Sequence, residues 1–357
     1  MKAGNTMAHG IEELNAVQRI MKNGVLSDYK GSWSPEFYGG AEIKALEQEW
    51  AKYIGVKHAI ACNSDTSALY VSCAAIGLAP GDEVLVTPFS MTCSATIPLL
   101  FGAVPVFVDI EDEYFNMDPD KVEAAITERT KAIIVVNLFG HPYDADRINA
   151  IARKYDLKVI EDSAQAPSAL YKGKMCGSLG DVGTFSFNYH KHIHAGEGGM
   201  LTTNDDELAF KLRLMINHAE AVMNGIEDEH VLDYDNSYYK MVGMNLRMTE
   251  LQAGIMREQL KKLPSLIKQY QQYGWLLHIP VMPECTSSFY RYALMNENGY
   301  NLEDLNPDPN TFDIKKHYIT PLHRMPVFAR RGYDEHCCPV ADEVNKNIVL
   351  IWHKKPL

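Results

Sequence analysis

Along the 357 residues, short runs of apolar and β-branched positions alternate with stretches in which apolar positions recur every three or four residues. The short runs predict strands at His58–Asn63, Glu83–Pro88, Val104–Ile110, Lys131–Leu138, Lys158–Asp162, Asp181–Phe187 and Met200–Thr203. Helical spacing fills the intervals. Ile43, Leu46, Trp50 and Tyr53 share a stripe that Gly55 brings to a stop. Thr66–Ile76, Asp118–Ala125, Asp144–Tyr155 and Asp205–Asn217 read the same way, and Met248–Leu263 is expected to end at Pro264. Strands that are apolar nearly throughout are covered on both faces, so these seven should form one largely parallel sheet between helices. Beyond residue 264 the pattern is broken by Pro280, Pro283, Pro307, Pro309 and Pro321. A smaller C-terminal α/β domain is therefore expected to begin near 235–245, dividing the chain into a large domain over 1–240 and a small one over 241–357.

Composition narrows the function classes. With 46% hydrophobic and 22% charged residues, the chain can bury a large core. A formal net charge of -12 without any basic cluster argues against nucleic acid and favours a small-molecule partner. No apolar run approaches a membrane span. The N-terminal MKAGNTMAHGIEEL has no signal-peptide core, so cytoplasmic residence is the expectation. Of seven cysteines none forms a CxxC pair; Cys62, Cys73, Cys93 and Cys176 fall in core elements and read as buried thiols.

In an open α/β sheet, ligands bind beyond the carboxyl ends of the strands. After the first strand, Asn63-Ser64-Asp65-Thr66-Ser67 opens a helix whose free amides suit a phosphate or, equally, an ordinary cap. After the fifth, Glu161-Asp162-Ser163-Ala164-Gln165 offers a carboxylate for a protonated ring nitrogen and an amide for a ring hydroxyl, with capping again the alternative. Most informative is Phe185–Gly199, FSFNYHKHIHAGEGG. It sets Lys191 five residues after Ser186 and ahead of Gly196-Glu197-Gly198-Gly199. A lysine at this edge of a sheet needs a reason, and Schiff-base chemistry supplies one: its amine must be neutral to attack a carbonyl, and burial beside positive charge, part of it from the histidines, favours that form. His190, His192 and His194 also have an alternating spacing that zinc could use, but no fourth ligand with metal spacing accompanies them, and no metal is assigned. A structural histidine cluster remains the third reading. Nucleotide binding through the glycines fails, since neither GxGxxG after a strand nor GxxxxGK[ST] occurs.

Taken together, GDEVLVTPFSMTCSAT, GAVPVFVDIE, EDSAQAPSALYKG, GDVGTFSFNYHKHIHAGEGG and GMNLRMTELQAGIMREQLKKL resemble the DegT/DnrJ/StrS sugar aminotransferases, strongly over residues 35 to 265. The resemblance implies the type I aminotransferase fold, pyridoxal 5'-phosphate as cofactor, a pyridoxamine phosphate half-reaction, and a homodimer with shared active sites. It makes Lys191 the Schiff-base lysine and proton shuttle and Asp162 the partner of the pyridinium nitrogen. Gln165 would bond the ring hydroxyl; Ser186, Asp65 and Thr66 would hold the phosphate; Asn245 would reach the phosphate of the neighbouring subunit. Two positions depart from the family pattern: Asp65 stands where the family writes glycine, and Met91 stands where an aromatic ring commonly stacks.

The implied reaction passes an amine from glutamate to a keto-sugar, either nucleotide-linked or an acidic one such as an 8-oxo-3-deoxyoctulosonate. Relatives with histidine in place of the lysine remove a hydroxyl instead, and some members were first described as regulators. Substrate contacts are expected from Gly31–Gly40, Arg247, His323 and the histidines flanking Lys191, whereas Trp33, Phe37 and Tyr38 are expected to pack.

Overall fold

The computed structural model describes residues 9–219, 241–296, 311–316, 318–334 and 336–353. In chain order the elements are α1 (Ile11–Asn23), α2 (Ala41–Ile54), β1 (His58–Cys62), α3 (Asp65–Ala75), β2 (Glu83–Val86), α4 (Cys93–Leu100), β3 (Val104–Phe107), α5 (Pro119–Val122), β4 (Thr130–Val136), α6 (Ala145–Lys154) and β5 (Lys158–Asp162). They continue with β6 (Leu170–Tyr171), β7 (Lys174–Met175), β8 (Val182–Ser186), β9 (Gly199–Thr203), α7 (Asp206–Ile216), α8 (Glu250–Leu276), β10 (Cys285–Thr286), β11 (Tyr292–Met295), β12 (Phe312–Lys316), α9 (Pro326–Ala329), α10 (Pro339–Asn347) and β13 (Ile348–His353). All seven expected strands form. Helices α1 and α4 were not anticipated; α4 carries Pro98 inside it, which reads locally as a breaker.

Seven strands make one sheet in the order β1-β9-β8-β5-β4-β2-β3. From β3 to β8 neighbours are parallel, and β9 alone runs against both of its neighbours. That reversal matters for the site. It brings the first residue of β9, Gly199, to the same end of the sheet as the last residues of β1 and β8, where it pairs with Cys62 and Ser186.

The alternating faces of the strands explain the double covering. On β4, Ile134 and Val136 join Leu69, Val84 and Ile160 in one core cluster, whereas Ile133 and Val135 join Val159 and Ile148 in another. Each such side chain contributes about 1.5–3 kcal/mol by leaving water.

The C-terminal segment adds an antiparallel sheet, β11-β13-β12. Its Tyr292 and Ile351 pack with Phe289 and Phe312 against Tyr270 and Tyr273 of α8. On the other side Ala293, Ile348 and Leu350 belong to the same cluster as the central sheet. The expected domain boundary near 235–245 falls largely outside the described residues. One expectation is corrected: α8 does not stop at Pro264 but runs through it to Leu276. A proline inside a helix costs roughly 3 kcal/mol. Here Leu260, Leu263, Leu266 and Ile267 are buried on both sides of it against the α2 cluster, so tertiary packing holds the helix together across the missing amide.

Candidate active site

Strand β5 ends in two carboxylates that the pleat sends to opposite faces. Asp162, 4% exposed, keeps few partners: its Oδ1 accepts from the Ala164 amide at 3.1 Å and its Oδ2 from Ser94 Oγ at a long 3.4 Å. Burial raises its pKa, opposed by the Ala164 amide and the Lys191 charge. A buried carboxylate so thinly bonded is suited to a cation such as a protonated ring nitrogen. Gln165, three residues on, gives its Oε1 to the Phe139 amide at 2.9 Å, and the Tyr318 hydroxyl also bonds its side chain.

At the end of β1, Ser64 caps α3 by accepting the Ser67 amide at 3.1 Å. The amides of Asp65 and Thr66 then find no acceptor among the described residues, which is the arrangement a phosphate fits. Gly199 closes this cradle: a Cβ there would lie 2.4 Å from the carbonyl carbon of Ser64, so only glycine permits the approach. Ser186 Oγ, at the end of β8, accepts the Asn188 amide at 3.3 Å and keeps its own proton to donate. Thr66 is exposed, whereas the Asp65 side chain is 8% exposed and its Oδ1 is buried without a hydrogen-bond partner. Burial, then the charge of Asp162, pushes the Asp65 carboxyl up to about 8, with Lys191 opposing.

Lys191 sits in the loop that the glycine turn folds back on itself, Phe187 donating to Gly198 at 2.8 Å and Tyr189 to Gly196 at 3.0 Å. The lysine is half-buried, and its Nζ stands 4.8 Å from the centre of the Tyr290 ring. The Arg291 guanidinium lies 4.1 Å from the same ring. Burial alone would raise the Tyr290 phenol, but the two cations bring it below its ordinary value.

The histidines do not supply the positive charge expected of them. Burial lowers His192 to about 3 and His194 to about 4, and lowers His190 as well, so Arg291 is the cation that neighbours the lysine. Nor do they share one side. His192, buried, bonds the Ser288 carbonyl through Nε2 at 3.0 Å; His194 packs its ring against His9; His190 is exposed against Tyr189. No cluster of three metal-ligating side chains occurs among the described residues.

Met91 lies at the rim of the site: 55% exposed, it accepts through its carbonyl, at 3.3 Å, the amide of Ser94, whose hydroxyl reaches Asp162. The remaining expected contacts do not gather in one place. Asn245 is exposed and pairs with Asn217 just after α7; its Oδ1 accepts from Arg247 Nε at 2.9 Å, and Arg247 also reaches Asn217 and the Tyr29 ring. His323 is fully enclosed, with Asp342 at 3.4 Å and the Phe107 ring beside it, so it belongs to the packing around edge strand β3. Phe37, with Trp33 and Tyr38 around it, packs as expected. Ser94, Tyr290, Arg291 and Tyr318 were missed; an arginine between two tyrosines in SSFYRYA was the available signal.

Known proteins resemble this chain in sequence and fold. A model of the DegT/DnrJ/EryC1/StrS aminotransferase family matches residues 12–356. The GDP-perosamine synthase of Caulobacter vibrioides is 45% identical over 312 residues, covering 83% of this chain and 81% of that protein. The spore coat polysaccharide biosynthesis protein SpsC of Bacillus subtilis is 38% identical over 355 residues, covering 93% and 87%. An X-ray structure of an aminotransferase from Psychrobacter cryohalolentis superposes with a TM-score of 0.81 at 29% identity, covering 97% of this chain and 93% of that one.

Proposed function

The chain belongs to the DegT/DnrJ/EryC1/StrS aminotransferase family, and from that premise we propose that it moves an amino group from glutamate to a nucleotide-linked keto-deoxy sugar. The observation that carries the proposal is the convergence, at one end of the sheet, of an amine, a thinly bonded buried carboxylate and a helix start with unused amides. Bound there, pyridoxal phosphate supplies an aldehyde that links to amines and a ring that takes up an electron pair. The Asp65 and Thr66 amides and Ser186 Oγ hold its phosphate. Asp162 keeps a proton on its ring nitrogen, and Gln165 faces its hydroxyl. Lys191 Nζ takes the proton from the donor's carbon and returns it, one positioned amine serving both transfers.

The nucleotide-linked sugar is supported by the relative named GDP-perosamine synthase. A second reading, an acidic keto-sugar such as the octulosonate, is favoured by Arg291, which has no carboxylate partner among the described residues. The same proposal makes the protein a cytoplasmic homodimer. Asn245, with its Oδ1 taken by Arg247, keeps its amide to donate to the partner's cofactor.

The test is a visible spectrum with and without glutamate, followed by product masses from a GDP-linked keto-deoxy sugar and from the octulosonate. Bleaching by glutamate and an amine on the nucleotide sugar supports the proposal. A nitrogen-free deoxy product makes the protein a dehydratase, a protein that stays colourless with added pyridoxal phosphate overturns both the cofactor and the half-reaction, and a phenotype that survives replacement of Lys191 or Asp162 favours a regulatory role.

A further inference from the structure

The proposed reaction uses Asp65 only through its backbone amide and leaves the side chain unexplained. Capping does not explain it, because Ser64 already caps α3, and the Asp65 carboxyl is turned inward with Oδ1 buried and unbonded. The groups that face it come from four strands and helices around the cradle: Asp162 on β5, Thr184 on β8, Lys191 in the loop after β8, Cys62 at the end of β1 and Cys93 at the start of α4. The Thr184 hydroxyl is buried beside the Asp65 carboxyl and, with Lys191, opposes the rise in its pKa. Burial pushes the Cys93 thiol up to about 12 and the Cys62 thiol higher still, so neither brings a charge near neutral pH. What remains is one cation shared between two carboxyls.

A phosphate on the amides of Asp65 and Thr66 would set further negative charge within one residue of that carboxyl. Adjacent buried anions cannot all stay ionised. We propose that Asp65 enters the cofactor complex as the neutral acid, its buried carboxyl lying behind the cradle, so that a site with ionised Asp65 takes up one proton as the phosphate binds. This rests on the reading of the cradle as a pyridoxal phosphate site. The sign follows from linkage: the group is already raised to about 8 without phosphate and is raised further with it. Affinity is then unaffected below about pH 8 and weakens by up to about tenfold per pH unit above it, until the pKa of the complex is reached.

Pyridoxamine phosphate is the suitable probe, since it has no aldehyde to link to Lys191. Its dissociation constant is measured by equilibrium dialysis from roughly pH 6.5 to 9.5 for the wild type, Asp65→Asn and Asp65→Ser, with proton uptake by each followed by calorimetry in two buffers. The expected result is a steeper rise above pH 8 in the wild type than in either variant, by up to about tenfold per unit, with close to one more proton taken up by the wild type than by the variants near pH 9, the ring nitrogen contributing equally to all three. An equal slope or equal proton uptake in wild type and variants overturns the inference; if neither variant folds, calorimetry of the wild type with inorganic phosphate, which has no ring nitrogen, decides, and no proton uptake near pH 9 overturns it. Absence of pyridoxamine phosphate binding at every pH sinks the cofactor reading and this inference with it. Failure of amine transfer to any sugar leaves the dialysis result standing.

Discussion

Glu161 and Asp162 are consecutive, both buried and both at the end of the same strand, yet the two sides of β5 treat them oppositely. Glu161 is fully enclosed and accepts from Asn137 Nδ2 at 2.9 Å, Ser163 Oγ at 3.1 Å and the amides of Gly177, Leu179 and Gly180 at 2.6, 2.9 and 3.2 Å. Asp162 has one amide and one long contact to a hydroxyl. Burial raises both pKa values, so burial does not separate them. Satisfaction does. A carboxylate whose lone pairs are all used ties the loop over 177–180 to the sheet, whereas one with capacity to spare is left for a ligand.

The comparison can be broken first at the ligand side. Lys191→Ala removes the amine that moves the proton, and amine transfer should fall by at least about a thousandfold in single-turnover measurements, with the melting temperature unchanged within a few degrees. Retained turnover would remove Lys191 from the chemistry. Asp162→Asn keeps shape but not charge, and kcat should fall by about 10²–10³-fold while the folded protein is as stable as before or more so, because an under-bonded buried charge has gone.

Glu161→Gln should do the reverse. Charge-assisted bonds to five donors are weakened, so urea unfolding should show a loss of about 3 kcal/mol, while kcat per folded molecule stays within about twofold. A variant that unfolds no more easily than the wild type but has lost activity would place Glu161 in the site and undo the contrast. The smallest effect sharpens it with a third carboxylate. Glu13 on α1 is 3% exposed but is met by Lys262 Nζ at 2.7 Å, Gln259 Nε2 at 2.7 Å and the Gly10 amide at 2.7 Å. Burial pushes its pKa up, but these partners outweigh it and lower the group to about 2. A lowered folded pKa gives stability that is complete above the ordinary value of 4.5 and lost as pH falls from there toward 2. That loss, about 2 kcal/mol in denaturation at stepwise lower pH, should be absent in Glu13→Gln.

Much of the site was legible because its parts stand at strand ends. Asp162, Ser186 and Lys191 follow directly from where β5 and β8 stop, and the amides of Asp65 and Thr66 from where α3 starts. The companions of the lysine were not legible. Tyr290 and Arg291 lie about a hundred residues further on, and nothing local in SSFYRYA says which ring the Lys191 amine will sit over. The histidines misled for a related reason: spacing gives three imidazoles near a lysine, but only burial shows that His192 and His194 are neutral.

By itself, then, the order of residues determined the seven strands, most of the helices between them and the side chains at the strand ends. Periodicity and chain termination act between near neighbours, and those effects are written within a few residues. Only the tertiary structure decided that β9 would run backward to bring Gly199 onto Ser64, and that α8 would continue through Pro264. It also set Tyr290 and Arg291 beside Lys191 and enclosed His323 against Phe107 and Asp342. Each of these depends on contacts between segments far apart in the chain, whose free energy exceeds the local preference they override.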